Sequence, residues 1–313
     1  MMRLYYRVQH AARLMRVCLL HWRVLLKRSP HLIIHTRFVL RQNQLLLIDN
    51  AKRAVIRCSL NNVGNSEIRN NVEFLIQHPH PAFPAVNFMP AMRNRLISGE
   101  SLLSGATPTP QEVSEDLIRG TIAVLNDALY NRYKIESKFN AKAELDSYEE
   151  LLVSHPSHVR AMMSEIRNEL DARLESMTAM VRKTRIHGDL TYRNIVVSDR
   201  MIGICDWSRS GIGFPEFDVY LLVIDARTYS SHTVTFPLFF QSILDFFNAQ
   251  ADVEEVGILY KLNPDFEVNQ SVDKGLRALF LYRMLVLATH YLRGNSREID
   301  HLVNQVRSGI CRS

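Results

Sequence analysis

Glycine is missing from the first 63 residues of this 313-residue chain, and the first one is Gly64. Ordinary usage of about 7% would place roughly four glycines there. A glycine-rich loop, which binds phosphate groups through its backbone amides, is therefore not readable from this part of the chain.

Cysteine is also scarce, since the four cysteines are scattered along the chain and form no CxxC pair. This pattern argues against a disulfide scaffold and against a zinc site, and it favours a reducing compartment such as the cytoplasm. Long apolar runs are lacking too. Charged residues interrupt each run well before the roughly 18 residues that a membrane-spanning helix needs.

Acidic residues are absent from residues 1–48, which hold nine Lys or Arg. The remainder has 29 basic and 32 acidic residues, a net charge of −3, although the whole chain carries +6. All the excess positive charge therefore belongs to one N-terminal segment.

This segment is predicted to form a basic amphipathic helix over residues 1–30, because its apolar residues recur at steps of three and four. Three interpretations remain open. The helix packs on the body of the protein, or residues 1–28 rest on an anionic membrane surface, or the segment is an Arg-rich targeting peptide. No nucleic-acid-binding motif accompanies the charge, so nucleic acid is not expected as a partner.

The pattern changes at about residue 31. Four short runs (HLIIH, RFVL, QLLLID and AVIRCS) predict strands, and SEIRNNVEFLIQ predicts a helix after them. A segment rich in glycine and proline then connects to helical patterns, which include residues 145–183 and most of the last hundred. The chain is predicted to be an α+β protein with a small β-rich lobe (31–97), a connection (98–110) and a larger, mostly helical lobe (111–313).

One stretch concentrates chemistry: IHGDLTYRNIVVSDRMIGICDW, residues 186–207. Two strands joined by a turn are predicted within it, which would place Asn194 and Asp206 side by side, with Asp189 just ahead of them. Two oxygen ligands suit Mg²⁺, which completes its shell with water and phosphate. The third carboxylate can then orient a hydroxyl group and accept its proton, an arrangement that phosphoryl transfer requires.

These residues, followed by SGIGFPEFD, resemble the signature of the aminoglycoside phosphotransferase and choline kinase superfamily, which are relatives of protein kinases. The resemblance implies a bilobal protein-kinase-like fold. It implies that Asp189 is the catalytic base in loop 187–194 and that Asn194 and Asp206 bind the metal. It further implies that His187 and Gly188 support the loop, and that Asp218 opens a helix and braces the loop by hydrogen bonds.

The resemblance also assigns nucleotide-binding residues in the small lobe. LISGESL is similar to the inter-lobe hinge of the family, which implies that Ile97 and Gly99 contact the nucleotide. Kinase-like proteins carry a Lys on the third strand that pairs with a helix Glu. Arg57 occupies that position here, and Glu73 is its predicted partner, with Glu67 as the fallback. Arg is not a neutral exchange for Lys, because its planar fork is bulkier.

Two hypotheses follow. In the first, the protein uses ATP and Mg²⁺ to phosphorylate a hydroxyl group of a small molecule or glycan. In the second, it is a weakly active or inactive relative that binds a nucleotide or a protein partner. The protein is predicted to be cytoplasmic. Its basic N-terminus further predicts peripheral contact with a membrane.

Overall fold

The computed structural model describes residues 36–41, 43–89, 91–92, 95–149, 152, 157–174, 180–199, 201–228, 257, 261, 270–291 and 303. The predicted N-terminal helix 1–30 and the first predicted strand lie outside these residues. The chain divides into two compact units. Unit 1 comprises Met1–Pro108 and His187–Gly211, and unit 2 comprises Thr109–Ile186 and Ile212–Ser313. The predicted connection 98–110 contains the first boundary, whereas the motif segment, which the prediction placed in the helical lobe, belongs to unit 1.

Unit 1 contains an antiparallel sheet with strand order β1-β2-β3-β6-β4, and β5 pairs with the N-terminal end of β6. Its strands are β1 (Thr36–Leu40), β2 (Gln44–Asp49), β3 (Ala54–Ser59), β4 (Val86–Phe88), β5 (Ala91–Met92) and β6 (Arg95–Ser101). Alternate residues on one face build an apolar cluster of Leu45, Leu47, Ile56, Cys58 and Ile97. Because side chains alternate across a strand, the opposite face is left for polar residues of β3 and β6.

Helix α1 (Asn62–Gln77) covers that polar face of the sheet. Asn61 caps it, accepting a hydrogen bond from the Gly64 amide at 2.8 Å. The buried face of α1 includes Ile68, Asn71, Val72, Phe74 and Leu75. This 3–4 spacing is that of one helical face, so the polar Asn71 is carried into the interior along with the apolar side chains.

The predicted strand pair of the motif is present in unit 1. Strands β9 (Ile195–Val197) and β10 (Ile202–Ile204) form an antiparallel hairpin in which Ile195 lies opposite Ile204. A short 3₁₀ turn, Tyr192–Asn194, precedes β9, and another, Trp207–Arg209, follows β10. The hairpin therefore returns the chain at Asp206 to the level of Asn194.

Unit 2 is mostly helical. Its helices are α2 (Glu115–Leu125), α3 (Ala141–Glu149), α4 (Ser157–Leu174), α5 (Pro215–Thr228) and α6 (Gln270–Tyr291). A π-helical turn, Asn126–Tyr130, extends α2. Rings of α5 and α6 pack edge to face in its core, with Phe280 5.3 Å from Phe217 and 5.4 Å from Tyr220.

Unit 2 also contains a small sheet of strand order β11-β8-β7, built from β7 (Ile135–Lys138), β8 (Met180–Ile186) and β11 (Gly211–Gly213). The helix predicted over residues 145–183 was therefore wrong at its end. Val181, Thr184 and Ile186 are buried. Pairing with β7, about 45 residues earlier in the chain, makes this segment a strand, and a local pattern carries no sign of that partner.

None of the helices in the described part of the chain has the length and apolarity needed to cross a bilayer.

Candidate active site

The loop that carries the motif is held from inside by His187. This side chain is fully buried, and its ring centroid lies 4.5 Å from that of Trp207. The Asp189 amide donates to Nδ1 at 3.3 Å, so Nε2 carries the proton and donates to the Cys205 carbonyl at 3.0 Å. Gly188 between them has a φ of +78°, in the left-handed region where a side chain would be strained. Both ring nitrogens of His187 are thus engaged in shaping the loop.

A hydrogen bond joins the Asn194 side chain to the backbone of Asp189. The side-chain amide of Asn194 donates from Nδ2 to the Asp189 carbonyl oxygen at 2.8 Å. Asn194 is 5% exposed, whereas the side chain of Asp189 is 40% exposed. The loop therefore presents the Asp189 carboxylate outward and fixes the orientation of the Asn194 amide, whose oxygen remains as the atom able to bind a cation.

Asp206 is joined to Asn194 through the hairpin. The Cys205 amide donates to the Asn194 carbonyl oxygen at 2.9 Å, which continues the register of β9 and β10 by one pair. Asp206 has a φ of +70°, which is uncommon for a residue other than glycine and points to a functional constraint. The structure thus brings the predicted metal residues to one end of one hairpin.

The Asp206 carboxylate is surrounded by donors. Its Oδ1 accepts from Arg57 Nη1 at 3.2 Å and from Ser208 Oγ at 3.1 Å, and its Oδ2 is ion-paired with Arg41 Nη1. Burial alone would raise the pKa of Asp206, but the two guanidinium groups outweigh it and hold the pKa well below its ordinary value. Asp206 is therefore a buried anion at neutral pH.

Aromatic packing fixes the backbone that follows Asp206. Trp207 is fully buried and stacks on Phe74 of α1, with ring centroids 4.1 Å apart. The Trp207 amide donates to Asn71 Oδ1 at 2.8 Å. Both contacts tie the end of the hairpin to α1, and thus to the sheet that carries Arg57.

The predicted pairing of Arg57 with Glu73 was wrong. Arg57 Nε donates to Glu100 Oε1 of β6 at 2.8 Å, and Asn71 Nδ2 donates to the same oxygen at 2.7 Å. Glu73 is exposed, because it lies on the outer face of α1, while Asn71 occupies the inner face. The fallback, Glu67, accepts instead from Asn43 and Gln44. Arg57 of β3 is thus paired with Glu100 of the neighbouring strand β6.

Ile97 and Gly99 lie on the other face of the sheet from Arg57. Ile97 is opposite Cys58 in the register and is fully buried in the apolar cluster. A Cβ atom added at Gly99 would lie 2.1 Å from the Phe88 ring. Packing explains why these two residues stand at these positions, and the contact of Ile97 and Gly99 with the nucleotide stays a prediction.

In unit 2, Asp218 lies in the first turn of α5 and is 1% exposed. Tyr130 donates its hydroxyl to Asp218 Oδ2 at 3.0 Å. Burial and then the charge of Asp218 raise the pKa of Tyr130 well above its ordinary value, so it stays a neutral donor. Asp218 thus joins the start of α5 to the end of the π-helical turn.

The residues of the site fit Mg²⁺ in their donor chemistry. Asn194 and Asp206 offer one neutral and one anionic oxygen ligand, and Asp206 is ionised. Among the described residues no cluster of three or more His, Cys, Asp or Glu side chains could hold a metal. A cation here would therefore rely on these two residues and take its other ligands from water and phosphate, as Mg²⁺ commonly does.

Several solved structures are similar to this chain in fold. A choline/ethanolamine kinase family protein from Mesorhizobium loti is 14% identical over 93% of this chain and 92% of its own, with a TM-score of 0.54. A thermostable mutant of aminoglycoside phosphotransferase APH(4)-Ia is 12% identical over 92% and 97%, with a TM-score of 0.58. The amicoumacin kinase hAmiN is 14% identical over 93% of both, with a TM-score of 0.57. At these identities the likeness concerns the fold, and the predicted α+β, kinase-like fold is confirmed.

Within that fold class, residues 129–236 match the model of the phosphotransferase enzyme family (APH). The matched range contains the loop, the hairpin and Asp218. The match confirms the predicted resemblance and supports a phosphotransferase acting on hydroxyl groups. No curated protein matches the chain.

Sequence reasoning missed several residues of this site, among them Arg41, Asn71 and Glu100. Arg41 follows the RFVL strand in a turn, and Glu100 ends the hinge-like LISGE run. Both positions could have been suspected, because a charged residue at the end of an apolar strand needs a partner. Asn71 gave no such signal, since an amide in a helix is ordinarily solvated.

Proposed function

We propose that this protein is an ATP- and Mg²⁺-dependent phosphotransferase that moves the γ-phosphoryl group to a hydroxyl group of a small molecule or glycan. The observation that carries the proposal is the state of Asp206. It is a buried, ionised carboxylate at the end of a hairpin shared with Asn194, in the same unit as Asp189. Burying an anion is costly, and such a group is more typical of a charged ligand site than of a stabilising core.

Asp189 is proposed as the catalytic base. Its carboxylate accepts the proton of the acceptor hydroxyl as that oxygen attacks the γ-phosphorus. A bond forms between phosphorus and the acceptor oxygen, the bond to the β–γ bridging oxygen breaks, and its electron pair leaves with ADP. The outward-facing carboxylate of Asp189 supports this role, because an acceptor must reach it from solvent.

Asn194 and Asp206 are proposed to hold Mg²⁺, which neutralises phosphate charge when bound. Arg57 is proposed to take the place of the usual strand lysine through its contact with Asp206. Complexes among the structural neighbours support a nucleotide and a divalent cation. One structure of APH(4)-Ia holds AMP-PNP and hygromycin B, and hAmiN holds AMP-PNP and Ca²⁺. His187, Gly188 and Asp218 are proposed to support the site.

The acceptor is proposed to be a small molecule, with a glycan hydroxyl as an extension of the same chemistry. The neighbours named for hygromycin B, amicoumacin and choline support the first part. A cytoplasmic location, and peripheral contact of residues 1–28 with an anionic membrane, stay proposals that rest on the charge of that segment.

A second candidate function is binding of a nucleotide or a protein partner without turnover. The observation that favours it is the double pairing of Asp206 with Arg41 and Arg57. A carboxylate whose charge is already balanced attracts a metal ion less strongly.

A transfer assay separates the two candidates. The purified chain is incubated with γ-labelled ATP, Mg²⁺ and panels of sugars, amino alcohols and aminoglycosides, with EDTA-treated samples as the control. We expect label in one class of acceptor and none with EDTA. Magnesium-dependent nucleotide binding by calorimetry, with no label in any acceptor, would support the second candidate. Absence of both binding and transfer would contradict the enzyme and the nucleotide-binding form of the second candidate, and would leave binding of a protein partner as the alternative.

A further inference from the structure

The two arginines that contact Asp206 are bound differently. Arg57 is 4% exposed and is also held by Glu100, so it belongs to the interior of unit 1. The side chain of Arg41 is 48% exposed and pairs with Asp206 Oδ2 from the surface. Arg57 offsets one of the two negative charges of Glu100 and Asp206, which leaves one for Arg41 to balance. Arg41 is therefore the exchangeable counter-ion of this carboxylate.

Arg41 lies between β1 and β2, and the residues at the start of β2 on its far side are held by hydrogen bonds. Asn43 and Gln44 both donate to the Glu67 carboxylate of α1, at 3.0 and 2.6 Å, and the Leu60 amide donates to the Asn43 carbonyl at 2.8 Å. A Cβ atom at Gly64 would lie 2.2 Å from that carbonyl oxygen, so the first glycine of the chain serves this close approach. The Arg41 amide also donates to the Gln44 carbonyl at 2.8 Å, so the backbone of Arg41, Asn43 and Gln44 is held while the long side chain of Arg41 is half exposed.

The charges of Arg41 and of a divalent cation determine how the two share the Asp206 carboxylate. A divalent cation bound to Asp206 would lie beside the positive charge of Arg41 at the same carboxylate, and these two like charges would repel each other. Arg41 and the cation therefore compete for Asp206. A polyphosphate removes the conflict, because its oxygens accept hydrogen bonds from a guanidinium group while they also bind the metal.

We infer that Arg41 is a latch: it occupies Asp206 in the ligand-free protein, yields the carboxylate to a divalent cation, and then binds the polyphosphate of the nucleotide. This inference rests on the proposed function. It also explains how a turn without glycine serves the site, since the side chain of Arg41 supplies the positive charge that backbone amides would otherwise provide.

The test measures two affinities in three proteins: wild type, Arg41→Gln and the control Arg37→Gln, which removes an exposed charge from β1. Binding of Mn²⁺ alone is followed by the loss of its free-ion resonance signal, and binding of Mn²⁺–AMP-PNP by calorimetry. We expect Arg41→Gln to bind Mn²⁺ alone about two- to fivefold more tightly, and Mn²⁺–AMP-PNP more weakly by a similar factor. Arg37→Gln should change neither affinity.

Changes of opposite direction in the two affinities distinguish the latch from a loss of structure, because a disrupted turn would weaken both affinities. The latch alone would be overturned if the wild type binds Mn²⁺–AMP-PNP and the Arg41→Gln variant binds Mn²⁺ with unchanged or lower affinity. A wild type that binds no Mn²⁺–AMP-PNP would overturn the proposed function and the latch with it. Thermal unfolding of all three proteins shows whether the fold is retained.

Discussion

Replacing Asp189 by Asn lowers kcat by about 10²- to 10⁴-fold, the range over which a general base contributes, and leaves nucleotide affinity nearly unchanged. The substitution alters only the carboxylate, so the backbone carbonyl that holds Asn194 at 2.8 Å keeps its contact. The metal residues therefore remain in place while the proton acceptor is lost. Single-turnover transfer of label and calorimetric nucleotide binding measure the two quantities separately.

Asp199→Asn is the matched control, because this residue lies exposed in the turn of the same hairpin. It should retain wild-type turnover and binding. A kcat of Asp189→Asn within tenfold of the wild-type value would show that another group accepts the proton.

Replacing Arg57 by Met should destabilise unit 1 by about 3–5 kcal/mol, the cost of breaking a buried ion pair. The guanidinium group lies between Glu100 and Asp206, whose side chains are 2% and 7% exposed. Its loss leaves two buried carboxylates without their main cation. Arg57→Lys should cost less, although one ammonium group cannot reproduce the two directed hydrogen bonds of the fork.

Urea unfolding followed by tryptophan fluorescence measures this effect, because Trp207 is buried against α1 in the same unit. Glu73→Gln is the control, since this exposed helix position should change the free energy of unfolding by less than about 0.5 kcal/mol. If Glu73→Gln lowered the free energy of unfolding more than Arg57→Met does, the result would favour pairing of Arg57 with Glu73 and contradict the pairing with Glu100.

The parts of the site that lie close together in the chain could be predicted from the sequence. The loop from His187 to Asn194 and the hairpin that follows are local, and a turn between two apolar runs fixes which residues share an end. The resemblance to the kinase superfamily implied that Asp218 opens a helix, and Asp218 does lie in the first turn of α5. These predictions needed no knowledge of the distant sheet.

The parts that depend on register across the sheet could not be predicted. Spacing along the chain offered Glu73 and Glu67 as partners of Arg57, but the pairing of β3 with β6 places Glu100 beside it. The same register places Ile97 opposite Cys58, in the apolar cluster. Strands β7 and β8 were missed for a related reason, because their charged sequences become strands through each other.

The pairing of Arg41 with Asp206 spans 165 residues and depends on where the β1–β2 turn is anchored. The lack of glycine before Gly64 indicated only that a glycine-rich loop could not be read from this part of the chain.

A crystal structure with Mn²⁺ and AMP-PNP, measured at a wavelength where manganese scatters anomalously, tests the central claim most directly. The account predicts an anomalous peak at bonding distance from the Asn194 amide oxygen and the Asp206 carboxylate, with the nucleotide phosphates completing the coordination. A peak bound by neither residue, or bound nucleotide with Asp206 still paired to Arg41 and no metal between them, would contradict it.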